Sequence, residues 1–261
     1  MKILIADDEL NNRILMREYL TPWGQCDLVV SGEEVVEAFE LSASEGQPYD
    51  LICLDFYMSG MNGDEALRSI RVLEKEMGIP SQYETFVIMV TGQEESGDAS
   101  RLYYQGGCTE TLIKPITREQ LYAKLEANGF VRPQELQATP APVQIDYQGL
   151  DQIPGLDVVG GLERMMGNIE LYRELLGDFL LDHGDDVEKV QQALDANVQE
   201  SAIRILHSIK GTAGNLNAFR VQMAAKELES ILRQNRTEYT DNLTEFNAAM
   251  REFTFALKNI L

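Results

Sequence analysis

Acidic side chains stand at the ends of two short apolar runs in the first half of the chain. Asp7 and Asp8 follow "ILIA", and Asp55 ends "DLICLD". If these runs are parallel strands of one sheet, their carboxyl ends share an edge and the three carboxylates converge. Carboxylates this close repel one another unless a divalent cation neutralises them, and their oxygens suit Mg²⁺. The pattern therefore predicts a site for Mg²⁺, or for Mn²⁺ in its place.

Two more polar residues end later apolar runs, Thr91 in "TFVIMVT" and Lys114 in "ETLIK". A carboxylate beside a metal can attack a phosphoryl group while an ammonium and a hydroxyl neutralise the transferring oxygens. Asp55, Lys114 and Thr91 suit these three roles. One acidic residue after a strand is more often a solvated loop residue, but five coordinated strand-end positions favour a phosphoryl-transfer site.

In the second half, the stretch "ILHSIKGTAG" places a histidine in a setting that could also do chemistry. A helical projection puts His207 opposite an apolar face, with Ile203, Lys210, Gly211 and Gly214 beside it on the outer face. An imidazole between positions that lack side chains can be approached closely, and a lysine one turn away can neutralise a phosphoryl group. A histidine near a lysine is otherwise usually a plain surface residue.

The elements that must position the acidic residues alternate along residues 1–127. Short apolar runs, each followed by an amphipathic stretch, predict five strands and five helices in an α/β, doubly wound parallel sheet. Ser31, Asn62 and Thr117 each precede a helical stretch and are predicted to cap it, Thr117 in capping-box spacing with Gln120.

The remainder of the chain has a different pattern. Residues 128–149 hold three prolines and no sustained periodicity, as expected of a linker. From residue 150 to 261 there is no strand-like alternation, and successive amphipathic stretches predict an all-α helical bundle. The predicted domains are therefore 1–127 and 150–261, and the predicted helices of the second domain are 158–166, 168–182, 185–197, 199–216, 219–235 and 239–260.

Composition excludes several classes of function. The 261 residues carry a formal net charge of −21, which disfavours binding to nucleic acid or to an anionic membrane surface. The three cysteines are widely separated and lack metal-ligand spacing, which is typical of reduced thiols. No apolar run approaches the length of a membrane span. We expect a cytoplasmic protein with no membrane partner.

The motifs "ADDE", "CLDFYMSGMNG", "VTG" and "LIKP" of the first half together resemble the receiver domain of two-component response regulators. The resemblance covers about 127 residues and implies a flavodoxin-like fold. It implies that Asp55 is the phosphoacceptor, that Asp8 is a direct metal ligand supported by Asp7, and that the backbone carbonyl of Tyr57 is another ligand.

By the same resemblance, Thr91 is the switch hydroxyl and Lys114 the phosphate partner. Two positions depart from the family pattern. Ser59 stands where such domains generally have proline, and Thr111 stands where an aromatic switch residue is common. Thr111 has no aromatic ring, so a coupling that depends on an aromatic rotamer at this position is not expected.

The stretch "HSIKGTAGNL", preceded by "IPGLDVVGGLERMMGN", resembles the histidine phosphotransfer (HPt) domain of multistep phosphorelays, a four-helix bundle. The resemblance covers about residues 150–261. It implies that His207 is the phosphoacceptor and Lys210 its charge partner, while Gly211 leaves room for a docking receiver.

Together these features predict a phosphorelay protein that carries phosphoryl groups on Asp55 and His207. The expected partners are a sensor histidine kinase and other receiver or HPt domains, with no small-molecule substrate. No nucleotide-binding motif accompanies them, so the chain is not expected to be an enzyme in its own right. Two alternatives stay open: a phosphorylation-independent acidic interaction protein, and an aspartate-nucleophile metabolite phosphatase. The phosphatase is disfavoured because Tyr57 stands where such enzymes place a general-acid aspartate.

Overall fold

The computed structural model describes residues 1–92, 107–131, 133, 147, 149–236 and 238–261. The chain forms two compact units, residues 1–141 and 142–261. Most of the predicted linker 128–149, and the helix predicted between the fourth and fifth strands, lie outside the described residues. None of the described helices has the length and apolar composition of a bilayer-crossing segment.

The first unit is built on a five-stranded sheet in which every described pairing is parallel and the strand order is β2-β1-β3-β4-β5. The predicted α/β sheet is confirmed, because each apolar run forms a strand within one residue of its predicted limits. The strands are β1 Lys2–Ala6, β2 Gln25–Val29, β3 Leu51–Asp55, β4 Phe86–Thr91 and β5 Glu110–Ile113.

Four described helices connect and cover these strands, and three of them begin at predicted caps. The Ser31 hydroxyl accepts the Glu34 N–H at 3.3 Å, and capping boxes form at Asn62 and Thr117. These contacts satisfy backbone N–H groups that have no partner within the first turn of a helix. The helices are α1 Leu10–Leu20, α2 Gly32–Ser44, α3 Gly63–Glu76 and α4 Arg118–Ala127.

Successive strand residues point to opposite faces of the sheet, and both faces are covered. On one face, strand residues such as Leu4 and Ile52 pack in one cluster with Phe39 of α2 and Leu67 of α3. The other face is closed by α1 and α4, where the Tyr122 hydroxyl donates to the Tyr19 carbonyl at 2.8 Å. The sheet is therefore packed on both faces, and side chains of adjacent strands meet at its carboxyl edge.

The second unit contains helices and connecting turns but no strand among its described residues, apart from an isolated bridge between Leu156 and Ala218. Helices α7 to α10 pack in sequence and α10 also packs on α7, which closes a ring of four, while α6 packs on α8 and α10. The predicted helical bundle is confirmed, with helix limits within two residues of those expected. The helices are α5 Val158–Arg164, α6 Ile169–His183, α7 Asp186–Asp195, α8 Gln199–Asn215, α9 Phe219–Arg233 and α10 Thr240–Ile260.

A glycine lets α5 approach the rest of this bundle. A Cβ atom on Gly161 would lie 2.1 Å from the hydroxyl of Tyr172, which is fully buried. That hydroxyl donates to the carbonyl of Leu216 at 2.6 Å, just beyond the C-terminal end of α8. The contact therefore links α5 and α6 to the helix that carries His207.

Candidate functional site

The sheet brings the predicted strand-end residues of the first unit to one edge. Asp7 and Asp8 follow β1, Asp55 ends β3, Thr91 ends β4 and Lys114 follows β5, and these four strands are adjacent. The backbone N–H of Lys114 donates to the Thr91 carbonyl at 2.7 Å, which extends the pairing of β4 and β5 to the edge itself.

Three carboxylates and one ammonium form the centre of this edge. Asp7, Asp8 and Asp55 each place an oxygen within 4.8 Å of the others. The Lys114 ammonium bridges two of them, at 2.8 Å from Asp55 Oδ1 and 2.9 Å from Asp7 Oδ2. Asp7 and Asp55 are buried and Asp8 is exposed. With all four side chains ionised the cluster keeps two uncompensated negative charges, so these hard oxygen donors fit a divalent cation.

Burial and neighbouring negative charge at this edge oppose the ionisation of Asp55. Burial raises the pKa of Asp55 well above its usual value; Lys114 opposes this effect, while the charge of Asp7 adds to it. Burial by itself lowers the pKa of Lys114, but the charges of Asp55 and Asp7 outweigh it and raise that pKa. The lysine therefore stays charged, and further positive charge would favour the ionised form of Asp55.

Two residues that were not predicted as site residues shape the same edge. Asn12, on the buried side of α1, donates its amide to both oxygens of Asp7 at 3.0 Å. A Cβ atom on Gly63 would lie 2.1 Å from the backbone carbonyl of Asp55, so only glycine lets α3 begin here. The sequence carried a signal for the glycine alone, since it directly follows the predicted cap Asn62.

The loop after β3 carries the remaining predicted residue. Tyr57 lies two residues beyond Asp55, with 36% of its surface exposed and its ring edge-on to Phe56 at 4.7 Å between centroids. Ser59, where the family pattern has proline, donates its backbone N–H and its hydroxyl to Asp8 Oδ2 at 3.0 and 3.1 Å. Proline could make neither hydrogen bond.

In the second unit, His207 lies on α8 beside a buried carboxylate of α9. Its Nδ1 is 2.9 Å from Oε1 of Glu229, whose side chain is fully buried, and 22% of the His207 side chain is exposed. Lys210 Nζ lies 2.6 Å from Glu229 Oε2. Arg233 donates to Oε1 through Nε and Nη2, at 3.0 and 2.8 Å. Glu229 thus links the imidazole to two cations.

The ionisation of Glu229 decides the tautomer of His207. Burial acts to raise the pKa of Glu229, but the hydrogen bond from His207 and the charge of Lys210 outweigh it and lower the pKa to about 2. A carboxylate can only accept hydrogen bonds, so Nδ1 of His207 must carry the proton. The neutral ring then has its lone pair on Nε2, which makes Nε2 the nucleophilic nitrogen.

The predicted exposure around His207 is wrong at two positions. Ile203 and Gly214 are buried, because α9 and α7 both pack against α8 and cover more of its surface than the apolar stripe indicated. Gly211 does border open space, since a Cβ atom there would meet no atom within 4 Å.

Glu229 was missed altogether, although the sequence held one signal for it. It is a lone acidic residue within the apolar stripe of α9, next to Leu228 and one turn before Leu232, and both of those leucines are buried. A carboxylate in such a position requires a partner when it is buried. Nothing in the spacing indicates that this partner is His207, which is 22 residues away.

Two different family models match the two units of the chain. The model of the response regulator receiver domain matches residues 3–126, and the model of the Hpt domain matches residues 174–259. The first match contains the carboxylate cluster and Lys114, and the second contains His207, Lys210 and Glu229.

One of the relatives below matches most of the chain, and the other two match about half of it. The chain is 29% identical over 231 residues to the sensory/regulatory protein RpfC of Xanthomonas campestris, a match that covers 87% of this chain and 30% of RpfC. It is 32% identical over 127 residues to a chemotaxis protein CheY homolog of Campylobacter jejuni, covering 48% of this chain and 90% of that protein. The crystal structure of the receiver domain of the histidine kinase CKI1 from Arabidopsis thaliana, complexed with Mg²⁺, is 28% identical, covers 49% of this chain and 90% of that chain, and gives a TM-score of 0.42. The chain thus spans less than a third of RpfC.

Proposed function

This chain belongs to the response regulator receiver family through residues 3–126 and joins that domain to an Hpt domain at residues 174–259, and from this premise we propose that it relays phosphoryl groups between aspartate and histidine side chains. Asp55 is the proposed acceptor of the first unit and His207 that of the second. The domain limits 1–127 and 150–261, with a linker at 128–149, are part of the proposal.

At the carboxylate cluster, an ionised oxygen of Asp55 attacks the phosphorus of a donor phosphohistidine. The P–N bond breaks, and its electron pair returns to the imidazole nitrogen of the donor. Lys114, already within hydrogen-bonding distance of Asp55, neutralises charge on the transferring oxygens, and the hydroxyl of Thr91 donates to them. Asn12 keeps Asp7 oriented throughout, since it donates to both of that residue's oxygens.

The residues proposed to hold a divalent cation are Asp8, Asp55 and the backbone carbonyl of Tyr57, with Asp7 in support. When bound, Mg²⁺ or Mn²⁺ supplies positive charge that offsets the excess of carboxylates and polarises the phosphoryl oxygens. The excess of two negative charges at this edge supports the assignment.

At the second site, the lone pair of His207 Nε2 attacks the phosphorus of an aspartyl phosphate. The P–O bond breaks, and its electron pair returns to the carboxylate. The imidazole keeps its proton on Nδ1 and becomes positively charged, so Glu229 stabilises the product through the 2.9 Å hydrogen bond. Lys210 is placed to neutralise the phosphoryl group on the ring.

The proposed partners are a sensor histidine kinase, which supplies the phosphoryl group, and other receiver or HPt domains, which exchange it. These residues perform transfer and hydrolysis of their own phosphoryl groups and use no small-molecule substrate. We place the chain in the cytoplasm, and its three free cysteines support a reducing compartment.

One observation carries the proposal: a lysine-bridged aspartate cluster and a histidine fixed by a buried glutamate occur in the same chain. The test is transfer of labelled phosphate from a phosphorylated histidine kinase to wild type, Asp55→Ala and His207→Ala. We expect Asp55→Ala to lose the label that is labile in base and His207→Ala to lose the label that is labile in acid, because acyl phosphates and phosphohistidines differ in this way.

Matched controls are Asp64→Ala, which removes a partly exposed aspartate of α3, and Lys189→Ala, which removes a lysine of α7. Both should retain the two labels. Base-labile label that persists on Asp55→Ala, or acid-labile label that persists on His207→Ala, would contradict the assigned acceptors. A wild-type chain that takes up no label would favour a phosphorylation-independent interaction protein.

A further inference from the structure

Ser59 makes a connection that proline, the usual residue at this position by resemblance, could not make. Its backbone N–H and its hydroxyl both donate to one oxygen of Asp8, Oδ2, at 3.0 and 3.1 Å. The two residues are 51 positions apart. The contact therefore joins the loop after β1 to the loop after β3, and these are the two loops that supply the proposed cation ligands.

Asp8 is the member of the carboxylate cluster that most needs such support. It is exposed, whereas Asp7 is buried and bonded to Asn12 and Lys114. An exposed side chain loses rotamer freedom when it ligates a cation, and this loss weakens binding. Because both Ser59 donors use Oδ2, Asp8 can offer Oδ1 to a cation without giving up either hydrogen bond.

The loop that carries Ser59 is itself anchored. The Met61 N–H donates to Glu33 Oε1 at 3.0 Å, and the Asn62 N–H donates to Glu65 Oε2 at 3.1 Å. Three backbone N–H groups between residues 59 and 62 thus donate hydrogen bonds to three carboxylates from different parts of the fold. A donor on a loop held in this way can fix the carboxylate that it contacts.

We propose that Ser59 is a positioning residue for the divalent cation: its two hydrogen bonds hold the Asp8 carboxylate in place before the cation arrives. This inference rests on the proposed function, which assigns Asp8 as a ligand. Hydrogen-bond partners of metal-ligating carboxylates orient the ligand, and their loss weakens metal binding.

The experiment measures Mg²⁺ affinity by isothermal titration calorimetry on the full chain, without any phosphoryl donor. Ser59→Pro removes both donors and should weaken binding about tenfold. Ser59→Ala keeps the backbone N–H and should weaken it about threefold. Ser59→Thr keeps both donors and should bind as wild type does. Ser44→Ala, at the far end of α2, is a matched serine control expected to bind as wild type.

The outcomes separate this inference from the proposed function. If wild type binds Mg²⁺ and Asp55→Asn does not, the cation site stands. Ser59→Pro and Ser59→Ala that then bind as tightly as wild type, or more tightly, overturn the role of Ser59 alone. A wild-type chain that binds no Mg²⁺ overturns both. Equal melting temperatures of Ser59→Ala, Ser59→Thr and wild type without Mg²⁺ establish that the variants are folded.

Discussion

The two proposed acceptors, Asp55 and His207, have surroundings of opposite charge. Among the described residues, Asp55 shares its edge with two other carboxylates and one lysine. His207 has one carboxylate beside it, Glu229, which also contacts Lys210 and Arg233, so that cluster carries a net positive charge when the imidazole is neutral. A phosphoryl group is an anion, and the second cluster can receive it without added positive charge, whereas the first cannot.

This difference predicts how the two acceptors respond to removal of divalent cations. With EDTA in excess, we expect phosphorylation of Asp55 by acetyl phosphate to fall at least a hundredfold. Phosphorylation of His207 by phosphoramidate should change less than twofold, because Lys210 belongs to the protein and is not removed. Both are measured as incorporated phosphate on the variants His207→Ala and Asp55→Ala respectively. An equal loss at both acceptors would contradict the charge argument.

A second prediction at the residue scale concerns stability and pH. The pKa of Glu229 is lowered to about 2 in the folded chain, from 4.5. An acidic group whose pKa is lower in the folded chain stabilises the fold at pH values above its pKa in the unfolded chain. This contribution is lost as the pH falls through its pKa in the folded chain. We therefore expect the free energy of unfolding of wild type to exceed that of Glu229→Gln, and this excess to be on the order of 2–3 kcal/mol larger at pH 7 than at pH 2. Hydrogen exchange of α8 amides measures the difference.

The control for this pH dependence is Glu227→Gln, an exposed carboxylate two residues earlier on the same helix. Its stability difference from wild type should vary little between pH 7 and pH 2, because water screens an exposed carboxylate from neighbouring charges. A Glu229→Gln difference that stays constant with pH would show that the cations do not stabilise the ionised carboxylate.

At the scale of single elements, α8 carries a glycine, Gly211, at a position where an added Cβ atom would clash with nothing. Gly211 borders open space, and so does Gly177 of α6. Alanine should stabilise a helix by about 0.5–1 kcal/mol at either position. We expect both variants to be more stable by chemical denaturation, but only Gly211→Ala, one turn after His207, to slow phosphoryl transfer from a partner receiver. An unchanged transfer rate in Gly211→Ala would mean that the partner receiver does not contact α8 at this glycine.

The elements were predictable from the sequence where their cause is local. Ser31 and Thr117 cap helices because the acceptor and the N–H that it binds lie three residues apart, and the alternation of apolar residues set the strands. The strand-end cluster was predictable because parallel strands share a carboxyl edge. Contacts between distant segments were not predictable: the partners Glu229 of His207 and Ser59 of Asp8 depend on tertiary packing, which spacing does not encode.

At the scale of the whole molecule, each unit has its own core and its own proposed acceptor. Buried Glu74 of α3 pairs with Arg71 of the same helix at 2.6 Å and also accepts the Thr85 N–H at 2.6 Å, which ties α3 to the start of β4 in the first unit. In the second unit, the close approach of Gly161 to Tyr172 ties α5 to the bundle. Units with separate cores unfold as separate cooperative transitions.

Scanning calorimetry of the full chain should therefore show two transitions, each sensitive to changes in one unit only. Glu74→Ala leaves Arg71 without its buried partner and should lower only the first unit's transition, by several degrees. Gly161→Ala forces a Cβ atom into the Tyr172 hydroxyl and should cost the second unit about 1–3 kcal/mol of stability. It should therefore lower the transition temperature of the second unit only. Mg²⁺ should raise only the transition temperature that Glu74→Ala lowers, because a ligand stabilises the unit that binds it.

If either substitution shifted both transitions equally, the two units would unfold as one cooperative unit. A phosphoryl group on Asp55 would then change the stability around His207 as well.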